Sequence, residues 1–258
     1  MLVLLPPSEG KTAPRRGAPL DLASLRSPSL GAARATVLDA LVTLCSGDVA
    51  TAAGVLGLGA RQRDLVLRDA ALHEAPTARA DRVYSGVLYD ALDVATLSTP
   101  ARRRASSRLR VCSALLGLVA PSDRIPAYRL SGDVTLPGVG PVAGHWREHL
   151  GPAVRELLGE GLLLDLRSST YTAFWRPGAD LAARTATVRV LQEHQGRRRV
   201  VSHLNKATKG RLVRDLLEHD VRARRPGALV AALRDLGWRV EDEETPTGTR
   251  LDVVVDET

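Results

Sequence analysis

The stretch TATVRVLQEHQGRRRVVSHLNKATKGRLVRDLL, residues 185–217, decides the fold class. Apolar and polar residues alternate through 185–193 and again through 198–204, on either side of Gln195-Gly196, and this period of two predicts a β-hairpin. Through 206–217 the apolar spacing changes to that of a helix. A hairpin that leads directly into a helix does not belong to a repeating βαβ pattern. We therefore predict an α+β fold.

The sequence on both sides of this stretch continues the mixture of strands and helices. It predicts strands at 2–6, 162–166, 238–243 and 251–255, a buried strand in the second half of 109–119, and helices at 30–44, from the cap Asp48 to Val55, at 60–72, 144–160 and 226–236. Loops rich in Gly and Pro cover 13–30 and 121–142. Neither a repeat nor a linker divides the chain, so we expect residues 1–258 to form a single compact domain with a mixed sheet and flanking helices.

The composition excludes several classes of protein. No apolar run approaches the roughly 18 residues that span a membrane. The apolar start at 1–7 has no basic residues before it, and it predicts a buried strand rather than a signal peptide. Two cysteines, Cys45 and Cys112, are too few for a disulfide scaffold. We expect a cytoplasmic protein without a membrane partner, and we favour a monomer.

The charge balance favours a polyanionic partner. The net charge is +7 and the pI is about 10.1, as in many nucleic-acid-binding proteins. A drift towards arginine in a GC-rich genome raises the pI in the same way, so charge alone does not decide between these origins. Aromatic residues make up only 3%, which leaves little material for a base-stacking surface.

Lysine is rare in this chain, which holds three lysines among 36 basic residues. Arg cannot replace Lys where an amine must lose its proton, because a guanidinium effectively never does so. Lys206 and Lys209 lie three residues apart on one predicted helix face, near the N–H groups of its first turn. If the protein is an enzyme, Lys206, Lys209 and Lys11 are the candidate catalytic residues. Chance survival of three lysines is the alternative explanation.

Five segments of the chain together match a known pattern. They are 5–12 (LPPSEGKT), 84–87 (YSGV), 113–123 (SALLGLVAPSD) continued by 126–130 (PAYRL), 165–171 (DLRSSTY) and 206–214 (KATKGRLVR). In their order and spacing these segments resemble the bacterial peroxide-stress protein YaaA family. The resemblance implies a compact α+β fold peculiar to the family. It also implies DNA binding by a helix-hairpin-helix element in a basic cleft, and protection during peroxide stress.

The candidate helix-hairpin-helix element covers about 48–72. Its turn holds Gly57 and Gly59, which allow a tight reversal and let backbone N–H groups approach a phosphate. The basic residues that follow would add charge, so the candidate DNA-binding residues are Gly57, Gly59, Arg61, Arg63 and Arg68. A Gly-x-Gly turn between helices can also be only a turn.

A second candidate site is an anion pocket built from the ends of predicted strands and the starts of predicted helices. Its residues are Ser8, Lys11, Thr12, Tyr128, Arg129, Ser168, Tyr171, Lys206, Lys209 and Arg214. A solvent-exposed helix start capped by Thr208 is the alternative explanation for the lysine pair.

Two main functions remain open from the sequence, and a stress protein that acts through a partner or a metal is a third. The first is a DNA-binding protein that contacts backbone phosphates of duplex or distorted DNA in a basic cleft and protects against oxidative damage. The second is an enzyme acting on a small anionic or nucleobase-like metabolite in the Lys/Arg/Tyr/Ser pocket. His145 and His149 form an H-x-x-E-H pattern on one helix face, but a five-residue match is easily accidental. We predict no metal site and no cofactor.

Overall fold

A computed structural model of the chain describes residues 1–195, 197–200 and 202–256. The strands are β1 (Leu2–Leu5), β2 (Ala78–Arg79), β3 (Leu109–Ser113), β4 (Gly117–Val119), β5 (Arg124–Ile125), β6 (Thr135–Leu136), β7 (Gly140–Pro141), β8 (Leu163–Asp165), β9 (Thr185–His194), β10 (Arg197–Arg199), β11 (Val240–Thr245) and β12 (Gly248–Asp256). The helices are α1 (Gly31–Cys45), α2 (Val49–Val55), α3 (Arg63–Ala70), α4 (Ala80–Val83), α5 (Val87–Leu92), α6 (Thr99–Arg108), α7 (Val142–Leu158), α8 (Ser169–Thr172), α9 (Ser202–Glu218) and α10 (Pro226–Asp235).

One sheet joins eight of the described strands in the order β11-β12-β9-β8-β1-β3-β4, with β10 also paired to β9. Its centre is parallel, because β1 pairs in parallel with β3 and β8, and β9 pairs in parallel with β8 and β12. The outer pairs are antiparallel. This mixed sheet with flanking helices confirms the predicted α+β class.

The central strands β1, β3 and β8 end at the same edge of the sheet. Leu5 at the end of β1 lies opposite Val111, and Leu4 lies opposite Asp165 at the end of β8. All four residues of β1 are buried. The chain therefore leaves three neighbouring strands at one place, which is where open sheets with parallel strands usually bind ligands.

A buried turn between β3 and β4 stiffens this edge. Gly117 has φ +68°, and a Cβ at this position would lie 2.6 Å from the ring of Trp146. The indole N–H of Trp146 donates to the carbonyl of Ala114 at 2.7 Å, and the fully buried Arg34 donates to the carbonyl of Leu116 at 3.0 Å. The strand predicted within 109–119 is thus two antiparallel strands joined by a tight, bonded turn.

The predicted hairpin is only partly correct. Strand β9 pairs with β10 as expected, but the second strand ends at Arg199 and a helix begins at Ser202. Of the predicted turn, Gly196 lies outside the described residues, and so does Val201 in the second strand. The three residues of β10 are exposed at the sheet surface, whereas α9 packs against α5 and β9. Burial of a helix face therefore outweighs the alternating pattern of 198–204.

Candidate functional site

The loop that leaves β1 is fastened to the segment before α5. The backbone of Lys11 forms an isolated antiparallel bridge with that of Tyr84. The N–H of Ser85 donates to Oγ of Ser8 at 3.2 Å, and Oγ of Ser8 donates to the carbonyl of Gly10. These bonds fix the loop at the edge where β1, β3 and β8 end.

The side-chain amine of Lys11 lies over the rings of Tyr84 and Tyr128 at this edge. Its Nζ donates to the carbonyl of Ser8 at 2.9 Å. The same atom lies 4.2 Å from the ring centroid of Tyr128 and 5.7 Å from that of Tyr84. The amine is therefore held by one hydrogen bond and the faces of two tyrosines, which attract its positive charge.

Burial lowers the pKa of Lys11 from its ordinary value of 10.5 to about 8. The negative charges of Glu9 and Asp69 oppose this shift, and the positive charges of Arg129 and Arg68 add to it. About a tenth of the amine is then unprotonated at pH 7, far more than for an ordinary lysine. Such a lysine can act as a base or a nucleophile, which an arginine cannot.

A chain of hydroxyls behind Lys11 fixes the two tyrosines. The hydroxyls of Tyr84 and Tyr128 lie 3.1 Å apart, and that of Tyr128 lies 2.7 Å from Oγ of Ser113. Oγ of Ser113 also accepts from the N–H of Leu116 at 3.0 Å. Burial raises the pKa of Tyr84 to about 12 and raises that of Tyr128 well above its ordinary value, so both rings stay neutral and form a rigid wall.

Asp69 is the residue that sequence reasoning missed. It is fully buried on α3, and its carboxylate accepts from the N–H of Arg129 at 3.0 and 3.1 Å. Burial raises the pKa of Asp69 to about 7, against the lowering effects of this hydrogen bond and of nearby positive charges. Asp69 lies three residues after the buried Val66, on the same face of α3, and this spacing could have predicted that Asp69 is buried too.

Two guanidinium nitrogens in this cluster lack partners. Nε of Arg68 and Nε of Arg129 are buried without a hydrogen-bond partner among the residues that the structure describes. The guanidinium of Arg129 does form an ion pair with Glu9. Buried unpaired donors are costly unless a ligand accepts from them. We call the cluster the Lys11 site; it consists of Glu9, Lys11, Arg68, Asp69, Tyr128 and Arg129.

Three other predicted pocket residues, Tyr171, Ser168 and Lys209, lie near the end of β8 at the same edge of the sheet. Tyr171 is buried, and burial together with the charge of Glu9 raises its pKa, which places its ring near the Lys11 site. Nζ of Lys209 donates to the carbonyl of Leu166 at 3.4 Å, and burial lowers its pKa. Ser168 is exposed just before α8, and Lys206 is exposed on α9. The two lysines therefore differ in environment although they lie on adjacent turns.

Two predicted residues have other contacts. The side chain of Thr12 is exposed, and its N–H donates to the carbonyl of Val83 at 2.8 Å. The guanidinium of Arg214 donates to the carbonyls of Leu92 and Asp93 at 3.1 and 3.0 Å. Arg214 thus ties α9 to the end of α5, and the structure does not bring it to the Lys11 site.

The predicted hairpin element consists of α2, a turn, one turn of 3-10 helix at Ala60–Gln62, and α3. Gly57 has φ +62°, and the N–H of Leu58 donates to the carbonyl of Ala53 at 2.8 Å, which is the bond that closes a Schellman turn. The N–H of Gly59 donates to Oε1 of Gln62 at 3.3 Å. This geometry defines a tight interhelical turn, but it does not by itself establish a DNA-binding motif.

The basic residues of this element divide between its two ends. Arg61 and Arg63 are exposed at the start of α3, whereas Arg68, near its end, belongs to the Lys11 site. The eight residues of α3 span about 12 Å at 1.5 Å per residue. The turn and the Lys11 site therefore lie at opposite ends of one short helix.

A separate basic groove lies between α4 and α6. It has a volume of about 630 Å³ and is lined by the arginines 26, 79, 82, 102 and 103, together with hydroxyl and apolar side chains. One acidic residue, Asp81, also lines it and forms an ion pair with Arg79 at 2.6 Å. We call this cavity the arginine groove. It is the second place where the surface offers several positive charges to a polyanion.

The H-x-x-E-H histidines have an internal partner. His145 Nε2 lies 3.0 Å from the carbonyl of Ala33, and its ring packs 4.8 Å from that of His149. In the ranges 1–195, 197–200 and 202–256, no group of three or more His, Cys, Asp or Glu residues is arranged to hold a metal ion. The helices within these ranges are too short or too polar to cross a bilayer.

Comparison with known proteins places the chain among bacterial relatives. Residues 1–244 match the model of a family described as peroxide stress protein YaaA. A UPF0246 protein of Streptomyces coelicolor is 53% identical over 260 aligned residues, which cover 100% of this chain and 99% of that protein. A UPF0246 protein of Corynebacterium efficiens is 42% identical, with 95% of this chain and 96% of the relative covered. A Corynebacterium glutamicum UPF0246 protein is 38% identical, with 94% and 95% covered.

Proposed function

The chain belongs to the peroxide stress protein YaaA family, and on that premise we propose that it binds duplex or distorted DNA through backbone phosphates in a basic cleft. Bound in this way, it protects DNA against oxidative damage. The observation that carries the proposal is the pair of exposed arginines, Arg61 and Arg63, directly after the tight turn at Gly57.

The element fits backbone binding better than base reading. Guanidinium groups bind phosphate oxygens in a bidentate manner, and phosphate contacts carry no sequence information. Helix α3 has only eight residues, and its buried face is committed to packing through Val66 and Asp69. It therefore has few side chains left to reach base edges in a major groove. We expect preference for DNA shape, with bent or bulged duplexes bound more tightly than straight ones.

The test is a fluorescence anisotropy titration of duplex, bulged and single-stranded DNA at two salt concentrations. We compare the wild type with the double variant R61A/R63A. Each phosphate contact contributes about 0.9 to the slope of log affinity against log salt. The double variant is expected to lower this slope by about 2 and to weaken binding to all three DNA forms.

The matched control removes the same charge from the arginine groove. Arg82 and Arg103 are exposed there, and R82A/R103A has the same net charge as R61A/R63A. The proposal requires that this control bind DNA more tightly than R61A/R63A. If R82A/R103A loses binding while R61A/R63A keeps it, DNA lies in the arginine groove and the hairpin role is wrong.

A second candidate function is an enzyme acting on a small anionic or nucleobase-like metabolite. The Lys11 site favours it, because phosphate binding needs only a positive charge, whereas an amine whose pKa burial lowers to about 8 can also act as a base or a nucleophile. Thermal-shift screening of nucleobases, nucleotides and inorganic phosphate with the wild type and Lys11→Met tests this candidate. A ligand that stabilises the wild type and not Lys11→Met supports it, and no stabilisation by any of these ligands counts against it.

A further inference from the structure

The Lys11 amine is placed for more than phosphate binding. The permanent positive charges of Arg68 and Arg129 lie beside it and already serve a phosphate. Lys11 instead lies against the faces of two tyrosines with a single hydrogen bond, to the carbonyl of Ser8. This arrangement keeps the amine in place without pairing it with a carboxylate, so its lone pair is available when the proton leaves.

We propose that Lys11 is a nucleophile that forms an imine with an aldehyde carried next to phosphate groups, which is the chemical form of an abasic site in DNA. The inference rests on the DNA binding proposed above. An abasic deoxyribose in its open form presents an aldehyde between two phosphates and has no base. Lys11 is the amine, and the arginines around it are the phosphate ligands.

The surroundings of Lys11 match this substrate in three respects. The buried Nε atoms of Arg68 and Arg129 have no acceptor within the described residues, and a phosphate oxygen would supply one. The face of the Tyr128 ring holds the amine 4.2 Å from its centroid, so the nucleophile is positioned before the sugar binds. Arg61 and Arg63 are exposed at the opposite end of α3 from Arg68 and Asp69, so they can hold a phosphate further along the same strand.

The reaction needs no oxidant or reductant. The free amine of Lys11 attacks the carbonyl carbon at C1′, and the carbonyl electron pair moves to oxygen, which takes a proton. The resulting carbinolamine then loses water. The oxygen of this water is the former carbonyl oxygen, and its two hydrogens are balanced by the two that the amine loses. The product is an imine between Nζ and C1′, and hydrolysis by one water molecule restores both partners. Asp69, a member of the same site, favours the protonated imine when its carboxyl group is ionised.

The experiment is reductive trapping on the full chain. Protein is incubated with a duplex that contains one abasic site, in the presence of sodium cyanoborohydride, and covalent complexes are separated on a denaturing gel. The intact duplex of the same sequence is the substrate control. The expected result is an adduct with the abasic duplex only, at least tenfold less abundant for Lys11→Arg.

Lys11→Arg is the matched variant because it keeps the positive charge but cannot form an imine. Anisotropy on the same samples must show that it still binds the abasic duplex, and its melting temperature must show that it folds. The α-amine of Met1 also has a lowered pKa, but it lies at the opposite end of β1 beside Arg108 and Arg224. Peptide mapping must therefore locate the adduct on Lys11, and an adduct confined to Met1 or to the exposed Lys206 overturns the inference.

The remaining outcomes separate this inference from the DNA-binding proposal. If the abasic duplex binds but no adduct forms on Lys11, the inference is wrong and DNA binding stands. If no duplex binds, the DNA proposal is wrong, and trapping with free deoxyribose 5-phosphate decides the amine chemistry. An adduct of that sugar on Lys11 supports the nucleophile with a small substrate, and its absence overturns it.

Discussion

Nζ of Lys11 lies 4.2 Å from the ring centroid of Tyr128, whose hydroxyl lies 2.7 Å from Oγ of Ser113 at the end of β3. A reactive amine on a loop is therefore positioned by a side chain that the central sheet fixes. Both tyrosines of the wall are buried, so the surface against which the amine lies is part of the core. Because this contact exists without a ligand, the reactivity of the Lys11 amine can be measured in the unliganded protein.

The first prediction concerns the pH at which Lys11 becomes reactive. Acylation by acetic anhydride requires the free amine, and burial lowers the pKa of Lys11 to about 8. The acylation rate of the Lys11 peptide, followed by mass spectrometry between pH 6 and pH 10, should therefore reach half its plateau near pH 8. The charges of Glu9, Asp69, Arg68 and Arg129 act on the amine in this range.

A directional control tests the electrostatic cause. The negative charge of Glu9 raises the pKa of Lys11, so Glu9→Gln should move the midpoint to lower pH. Acylation in urea should move it back towards the ordinary value of 10.5. A midpoint near 10.5 in the folded wild type would show that Lys11 is solvated like a surface lysine.

The second prediction concerns the contribution of Asp69 to stability. Its pKa is about 7 in the folded protein and 3.8 in its ordinary state, so the folded protein holds this proton more tightly. Its contribution to the free energy of unfolding is therefore full below pH 4 and is lost as the pH rises to 7. Relative to Asp69→Asn, the wild type should lose a few kcal/mol over this range, since one pKa unit corresponds to about 1.4 kcal/mol. Urea unfolding at several pH values measures it.

Asp48 provides a control of opposite sign. This residue caps α2, and its pKa is lowered by hydrogen bonds from the side chain and the N–H of Thr51. The contribution of Asp48 should therefore appear above its ordinary pKa and be lost as the pH falls. A pH-independent difference between the wild type and Asp69→Asn would contradict the burial of an ionisable carboxyl at this position.

The fold was predictable wherever the local sequence pattern agrees with the burial of the segment in the folded protein. The strand at 2–6 and the helix capped by Asp48 follow from an apolar run and from a side-chain cap, which are both local. The strand assigned to 198–204 was wrong beyond residue 199 because α9 begins at Ser202 and packs on α5 and β9. The contact with α5 joins residues far apart in sequence, so alternation alone could not reveal it.

The site was predictable in part. Lys11 follows β1, and Tyr128 reaches the same edge through its hydroxyl contact with Ser113 at the end of β3. Asp69 escaped notice because an acidic residue in a charged helix usually faces solvent. Arg214 was assigned to the pocket, but its guanidinium group donates to the carbonyl of Leu92 instead. Spacing along α9 does not show which neighbouring element each helix face meets. Which helix face meets the sheet is set by packing over the whole chain.

The third prediction concerns the cysteines of this member of a peroxide stress family. Cys45 and Cys112 are buried, and burial raises their pKa values to about 12 and about 11. The thiolate is the form that peroxide attacks, so both thiols should survive millimolar peroxide at pH 7. Thiol titration in urea after quenching should still find both cysteines reduced. Rapid loss of either thiol in the folded protein would instead assign it a redox role.

The last prediction tests the contact that places Lys209 at the sheet edge. The next residue, Gly210, lies where α9 crosses α5, and a Cβ there would meet the carbonyl oxygen of Leu88 at 2.3 Å and the N–H nitrogen of Leu92 at 3.0 Å. Backbone atoms cannot move aside as a flexible side chain can, so Gly210→Ala should lower the free energy of unfolding by about 1–3 kcal/mol.

Gly227 in α10 is the matched control, because nothing lies within 4 Å of a Cβ built there. Gly227→Ala should raise the free energy of unfolding by roughly 0.5–1 kcal/mol, since alanine loses less backbone entropy than glycine in a helix. Urea denaturation of both variants against the wild type gives the two values. If Gly210→Ala is as stable as Gly227→Ala, α9 does not press on α5 at this point, and the hydrogen bond from Lys209 to Leu166 loses its structural basis.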